Sequence, residues 1–412
     1  MDSRTWGIFA IIVIYLLGMV AVGVYFMKKN NSAGDYYLGG RKLGPVVTAM
    51  SAEASDMSSW LLMGLPGVAY LTGVADAAWT AIGLAIGTYL NWLIVAKRLR
   101  RYTVVANNSI TIPEFFSNRY RDKSKILVAI SAIFIVIFFI PYTASGFAAC
   151  GKLFSTLFHV PYLHAMVVSA VVIVAYTALG GFSAASTTDL IQSIVMTGAL
   201  ICVVLFGINA VGGVDVVMTE AGELPGYLSL TQTYTDGAAA EYGTIKIASM
   251  LAWGLGYFGM PHVLLRFMAI RDENEVKISR RIATIWVVIS MGVAIFIGLI
   301  GHSMTNNGIV EELVGADSEK LIIVVGTLMS KSGVLGVIVA GLIMSGILAC
   351  TMSTADSQLL AASSSISQDL LKDVFHLKIS DKASLIAARI TVLVIAVMGV
   401  FMAIDPNSSV FG

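Results

Sequence analysis

Ser51-Ala52-Glu53-Ala54-Ser55-Asp56-Met57-Ser58-Ser59-Trp60-Leu61-Leu62-Met63-Gly64-Leu65-Pro66-Gly67 puts two carboxylates in the middle of an apolar run from about 45 to 71. An ionisable group at mid-bilayer costs roughly 2.5 to 3.5 kcal/mol, so a chain that keeps one there faces it toward water, an ion or a partner. Small Ser and Ala neighbours let the backbone unwind, and Gly64, Pro66 and Gly67 interrupt the helical hydrogen-bond ladder. The expectation is a spanning helix broken near its centre. A polar kink packed against another helix is the alternative, and it suits Glu53 better than Asp56 because Glu53 stands nearer the interface.

The rest of the chain supplies the membrane that this reading presumes. Its 412 residues are 57% hydrophobic and 12% charged, with a mean hydropathy of +0.84, where soluble domains carry about 25% charge. Apolar runs fall near 6–27, 45–71, 74–96, 126–157, 162–180, 188–211, 243–263, 282–303, 321–355 and 386–403. Each is continuous rather than alternating, which makes them helices and not barrel strands. The first lacks a basic leader and a cleavage signal and reads as a retained helix. A net charge of +1 gives no reason to expect nucleic acid. Cys150, Cys202 and Cys350 lie far apart without metal-ligand spacing, so a disulfide framework or zinc site is not expected.

Most Lys and Arg residues fall in alternate connections: 28–42, 97–125, 266–281 and 372–389. The intervening stretch 212–240 has neither, although it holds Asp215, Glu220, Glu223 and Asp236. Cytoplasmic loops collect positive charge, so the amino terminus is expected outside a cell membrane. The stretch 98–125 reads as partly helical and 267–281 as a short charged connector. After the tenth run the chain stops at Phe411-Gly412 without a basic tail, which leads to the expectation of a fragment.

Two further spans break the apolar pattern. Met352-Ser353-Thr354-Ala355-Asp356-Ser357-Gln358 sets hydroxyls and a carboxylate on one helical face. Such hydroxyls, with carbonyls freed by an unwound helix, suit a hard monovalent cation, although Ser and Thr also join helices in membranes. Trp253-Gly254-Leu255-Gly256-Tyr257-Phe258-Gly259-Met260-Pro261 is too rich in Gly and Pro for a continuous helix, and its aromatics lie mid-span rather than in an interfacial belt. Interruptions in the second and seventh spans point to an inverted-repeat secondary transporter, whose solute and ions meet at discontinuous helices.

At four stretches the chain resembles the sodium:solute symporter family, in particular its bacterial sodium/proline branch: Ser55 to Gly67, Ala175 to Asp189, Ala252 to Ala269, and Met352 to Leu360. The resemblance implies an all-α polytopic membrane protein with the five-plus-five inverted-repeat fold and an extra amino-terminal helix. It divides the chain into 1–44 (extra helix and loop), 45–211 (first repeat), 212–242 (extracellular loop) and 243–412 (second repeat, incomplete at the carboxyl end).

The same resemblance implies sodium at the carbonyls of Ala54, Met57 and Cys350 and the hydroxyls of Ser353 and Thr354, with Asp56 nearby. It implies solute contacts from Ser59, Trp60, Tyr142, Trp253, Tyr257, Met260 and Pro261. Glu53 and Ser59 stand where the family pattern has small, glycine-like residues, and Met260 where the proline branch usually has Gln. A second cation site resembling that of some members would use Asp189, Asp356 and Ser357, beside Ser353. Both acids lack an evident partner in the sequence, while a helix cap or a cytoplasmic gate would also account for Asp189.

The function implied is sodium-coupled symport of a small solute, L-proline first, by alternating access. Other amino acids, pantothenate or a sugar are alternatives, as is a solute sensor on the same fold. An enzyme is not expected, because His159, His164, His262, His302 and His376 are scattered without a nucleophile or metal-ligand partner.

Overall fold

The computed structural model describes residues 2–377 and 380–405. Lys378 and the closing stretch 406–412 lie outside them. Helix α1 (Ser3–Met27) begins where the Asp2 side chain caps Thr5 N. A short α2 (Ala33–Leu38) follows. The expected break in the second span is present: α3 (Pro45–Met57) stops, a wide turn covers Trp60–Gly64, and α4 (Leu65–Thr72) restarts with Pro66 in its first turn.

Helix α5 (Val74–Asn91) continues through Trp92–Ala96 into α6 (Lys97–Val105), and α7 (Ile112–Tyr120) crosses the basic face. Helix α8 (Ile126–Phe158) carries Pro141 inside it. The expected fifth and sixth spans are the two arms of one run, α9 (Tyr162–Val211), folded at Gly181 with φ 60° and ψ −155°. A side chain at Gly181 would strike Tyr36 O at 2.6 Å, so glycine is needed both for the turn and for this approach. Both arms reach the helix Gly333–Ser364: Tyr176 on one donates to Asp356, while Asp189 on the other is linked to Ser357 through Arg266.

The loop after α9 holds α10 (Val214–Glu223) and a hairpin of β1 (Gln232–Thr235) with β2 (Ala238–Glu241). This short hairpin is a small addition to an all-α bundle, and its cause is Asp236-Gly237, with φ 50° and 83°, the pairing a tight hairpin turn requires. The seventh span is broken as expected. Helix α11 (Thr244–Ala252) gives way to tight turns over Trp253–Phe258 before α12 (Pro261–Ala269). Helix α13 (Val276–Asn306) follows.

The ninth apolar run is two elements, not one: α14 (Leu321–Met329) and α15 (Gly333–Ser364), separated where Gly333 takes φ 87°. The polar stretch Ser330-Lys331-Ser332-Gly333 marks that boundary, within a run otherwise apolar on both sides. The chain continues through Ser365–Val374 to α16 (Asp381–Met402). Seven described helices are long and apolar enough to cross a membrane, in addition to the two broken segments.

Helix α15 is the axis of the bundle, and every residue from Ile343 to Ser364 is buried. This is why its hydroxyls and acids must find partners inside the protein. Arg266, counted above among connecting residues, is instead fully buried in α12. Arg389 likewise lies within α16. On the basic face, Arg41 donates to Met268 O and Ser109 O, each at 2.7 Å, closing the bundle at that end.

Candidate functional site

The two interruptions face one another. The Trp60 and Trp253 rings lie 5.7 Å apart at 41°, and Asn91 donates to the carbonyl of Tyr257, 2.8 Å away, which the tight turns leave outside a regular helix. Backbone contact sets the spacing: a Cβ on Gly254 would come within 2.0 Å of Gly83 O, and one on Gly87 within 2.3 Å of Gly254 O. Gly64 makes room in the same way for its neighbour, since a Cβ there would meet Trp60 Cδ1 at 2.5 Å.

Between the breaks lies a cavity of about 720 Å³, within the usual range of small-molecule sites. Six of the seven expected solute residues line it: Ser59, Trp60, Tyr142, Trp253, Tyr257 and Met260. Pro261 does not. It occupies the first turn of α12, where its ring sets the restart of the helix. Asp56, Met57 and Thr354 also reach the cavity wall. Glu53 turns elsewhere, accepting from Trp92 Nε1 at 3.1 Å in a buried pair.

At the first break, Ser58 adopts φ 47° and ψ −172°, an uncommon conformation for a residue other than glycine. Its amide donates to Thr354 Oγ1 at 3.1 Å. Ser353 donates to Ala54 O at 2.7 Å and to Cys350 O at 3.1 Å, and Thr354 to Cys350 O at 3.2 Å. Two hydroxyls and two backbone carbonyls thus converge from α3 and α15 at the edge of the cavity, with Met57 buried alongside. The donors are neutral oxygens, suited to a hard monovalent ion and providing little fixed charge.

The second-site residues are arranged differently from expectation. Asp189 is not unpaired: Arg266 Nη2 lies 2.9 Å from its Oδ2, with both side chains fully buried. The guanidinium also donates to Ser51 Oγ at 2.9 Å, Ser357 Oγ at 2.5 Å and His262 O at 2.8 Å, and sits 5.0 Å from the Phe182 ring. Asp356 accepts from Tyr176 at 2.8 Å and from Ser357 at 3.0 Å. A protein cation therefore stands among the proposed ligands.

The sequence reading missed Arg266, Tyr176 and Gln358 as site residues. Gln358 lines the cavity, is fully buried, and has no partner for either amide atom among the described residues. The available signal for Arg266 was a lone cation inside the apolar stretch Pro261-His262-Val263-Leu264-Leu265-Arg266-Phe267-Met268-Ala269.

Residues 36–412 match the family model described as "Sodium:solute symporter family". The chain belongs to the sodium:solute symporter family. Among curated relatives of this family member, the "Osmoregulated proline transporter OpuE" of Bacillus subtilis is 40% identical over 399 residues, 96% of this chain and 77% of the relative. The "Sodium/proline symporter" of Haemophilus influenzae is 42% identical over 399 residues, with the same shares of 96% and 77%. That of Escherichia coli is 38% identical over 406 residues, 97% of this chain and 77% of the relative.

Among solved structures, a Na⁺-coupled sialic acid symporter in a substrate-bound outward-open state superposes with a TM-score of 0.81 at 18% identity, covering 97% of this chain and 82% of that one. MhsT in complex with L-phenylalanine gives 0.59 at 13% identity, over 88% of this chain and 80% of that one. The fold of this symporter-family chain is the five-plus-five inverted-repeat transporter fold with an extra amino-terminal helix, carried by an integral membrane protein.

Proposed function

We propose that the protein carries L-proline together with sodium across a cell membrane by alternating access. The observation that carries this reading is the cavity between two facing helix breaks, with a set of neutral oxygen donors at the edge of one of them. The names of the relatives support the solute, proline in all three, and the ion, sodium in two.

Sodium is held by the carbonyls of Ala54, Met57 and Cys350 and the hydroxyls of Ser353 and Thr354, with Asp56 supplying negative charge nearby. Each hydroxyl now donates to a backbone carbonyl and would turn its lone pairs to a bound ion. Ion binding tightens the junction of α3 with α15 and so fixes Ser58, Ser59 and Trp60 on the solute side. The solute ring packs on Trp60, Tyr142, Trp253 and Tyr257, with Met260 beside it and Pro261 behind as a support. Each ligand then binds better in the presence of the other, and linkage makes that gain reciprocal. An inward-moving sodium contributes about 2.3 kcal/mol per 100 mV to solute accumulation.

We further propose that residues 45–211 and 243–412 act as the two repeats, joined by the loop at 212–242, with 1–44 outside them. The amino terminus lies outside, since the basic connections share one face. One sodium accompanies each cycle. A second ion at Asp189, Asp356 and Ser357 would have to share its space with the Arg266 guanidinium, at a like-charge cost.

Counterflow of labelled proline in proteoliposomes tests the reading. Sodium-dependent exchange supports it. Solute binding without exchange indicates a sensor, and sodium-dependent exchange of pantothenate or a sugar but not proline overturns the substrate.

A further inference from the structure

We propose that the seam between α5 and α13, on the basic face of the bundle, binds an anionic phospholipid whose phosphate is held by Arg280. The guanidinium of Arg280 lies 5.3 Å from the centroid of the Tyr89 ring on α5, which fixes a long side chain across the seam. Among the described residues its buried Nε has no hydrogen-bond partner, and neither has the buried hydroxyl of Thr284. These residues are four apart and share one face of α13. Buried polar atoms are normally satisfied, so two orphans on one face mark a place where an acceptor belongs.

The charge around them is positive and unclaimed. In the preceding connector, Glu273 is taken by Arg101 at 2.5 Å and Glu275 by Arg271 at 2.6 Å. Among the described residues, Lys277, Arg280 and Arg281 have no acidic partner. A phosphate offers paired acceptor oxygens to a guanidinium, and basic pockets between spanning helices suit anionic headgroups.

What commits the site to a lipid rather than a soluble anion is the surface that continues from it. Within about a turn and a half beyond Thr284, Ile285, Val288 and Ile289 are 60%, 53% and 59% exposed, and Ile82 and Ile86, on the same face of α5 as Tyr89, are 38% and 52% exposed. From Arg280 to Ile289 the helix rises about 14 Å, about half the ~30 Å hydrocarbon thickness. The polar end and the apolar track therefore match a headgroup and the acyl chains of one leaflet.

Native mass spectrometry of the purified full chain in detergent tests this with phosphatidylglycerol, phosphatidylcholine and inorganic phosphate as probes. Wild type is expected to retain phosphatidylglycerol over phosphatidylcholine, and Arg280→Gln to lose roughly fivefold of those adducts. Lys123→Gln, an exposed basic change elsewhere, is expected to leave them unaltered. Should Arg280→Gln fail to fold, the pair Lys277→Gln and Arg281→Gln is expected to weaken the same adducts. Equal retention of both lipids, an unchanged preference in Arg280→Gln, an equal loss in Lys123→Gln, or displacement of the lipid by inorganic phosphate each overturns the proposal.

Discussion

Arg266 and Asp189 form an ion pair of 2.9 Å with neither side chain exposed, and the same guanidinium ties Ser51 of α3 to Ser357 of α15. Four helices thus meet on one cation: α3, α9, α12 and α15. Removing one member of a buried pair leaves an uncompensated charge, typically at 3–5 kcal/mol.

Arg266→Met and Asp189→Asn should therefore each destabilise the protein by about 3–5 kcal/mol. Combining Arg266→Met with Asp189→Asn should recover a large part of the loss. Unfolding in detergent measures all three variants. Additive losses in the double variant would show that the two side chains act independently.

The sodium proposal predicts a separable effect. Ser353→Ala or Thr354→Ala removes one oxygen from the junction at Ala54 and Cys350, a change of about 1–3 kcal/mol if the group ligates a buried ion. Half-saturating sodium should rise roughly five- to a hundredfold, while proline binding at saturating sodium persists. Titrating sodium against intrinsic tryptophan fluorescence reads this, and an unchanged midpoint in both variants removes the site.

The helix breaks were legible because Gly, Pro and charge disturb an apolar run at identifiable residues: Gly64 and Pro66 in one, Gly254 to Pro261 in the other. The hydroxyl face at Ser353, Thr354 and Ser357 was legible from its helical spacing. Arg266 was not, because its role depends on Asp189, 77 residues away, and a lone Arg near the end of an apolar run also reads as the start of a basic connection. The boundary between α14 and α15 carries the polar stretch Ser330-Lys331-Ser332-Gly333, but the long apolar runs on both sides of it read together as one span. By contrast, Asp236-Gly237 was a readable hairpin signal that the prevailing helical pattern obscured.

Gln358 and Met260 give a prediction about the solute. Both line the cavity, and the Gln358 amide has no partner among the described residues, which leaves it available to bond a zwitterion. Gln358→Leu should weaken proline binding about tenfold, the effect of losing one such bond in a desolvated pocket. Met260→Gln, which adds an amide to the cavity wall, should leave binding equal or tighter. Equilibrium binding of labelled proline at saturating sodium distinguishes these outcomes, and unaltered affinity in Gln358→Leu would place the solute elsewhere in the cavity.

The last prediction concerns the backbone crossing that sets the cavity's width. A Cβ at Gly254 would lie 2.0 Å from Gly83 O, and backbone cannot yield as a side-chain tip does, so Gly254→Ala must push the Trp253–Phe258 turns away from α5. Trp253 would then move relative to Trp60, now 5.7 Å away. Both stability and solute affinity should fall, stability by about 1–3 kcal/mol, as for overpacking in a filled core. Gly292→Ala is the matched comparison, since a Cβ there meets nothing within 4 Å and Ala is favoured over Gly in a helix by about 1 kcal/mol. Unfolding and proline binding measured on both variants separate the two effects. If Gly254→Ala behaves like Gly292→Ala, the crossing is looser than its geometry implies, and the spacing of the two tryptophans must be set by some other contact.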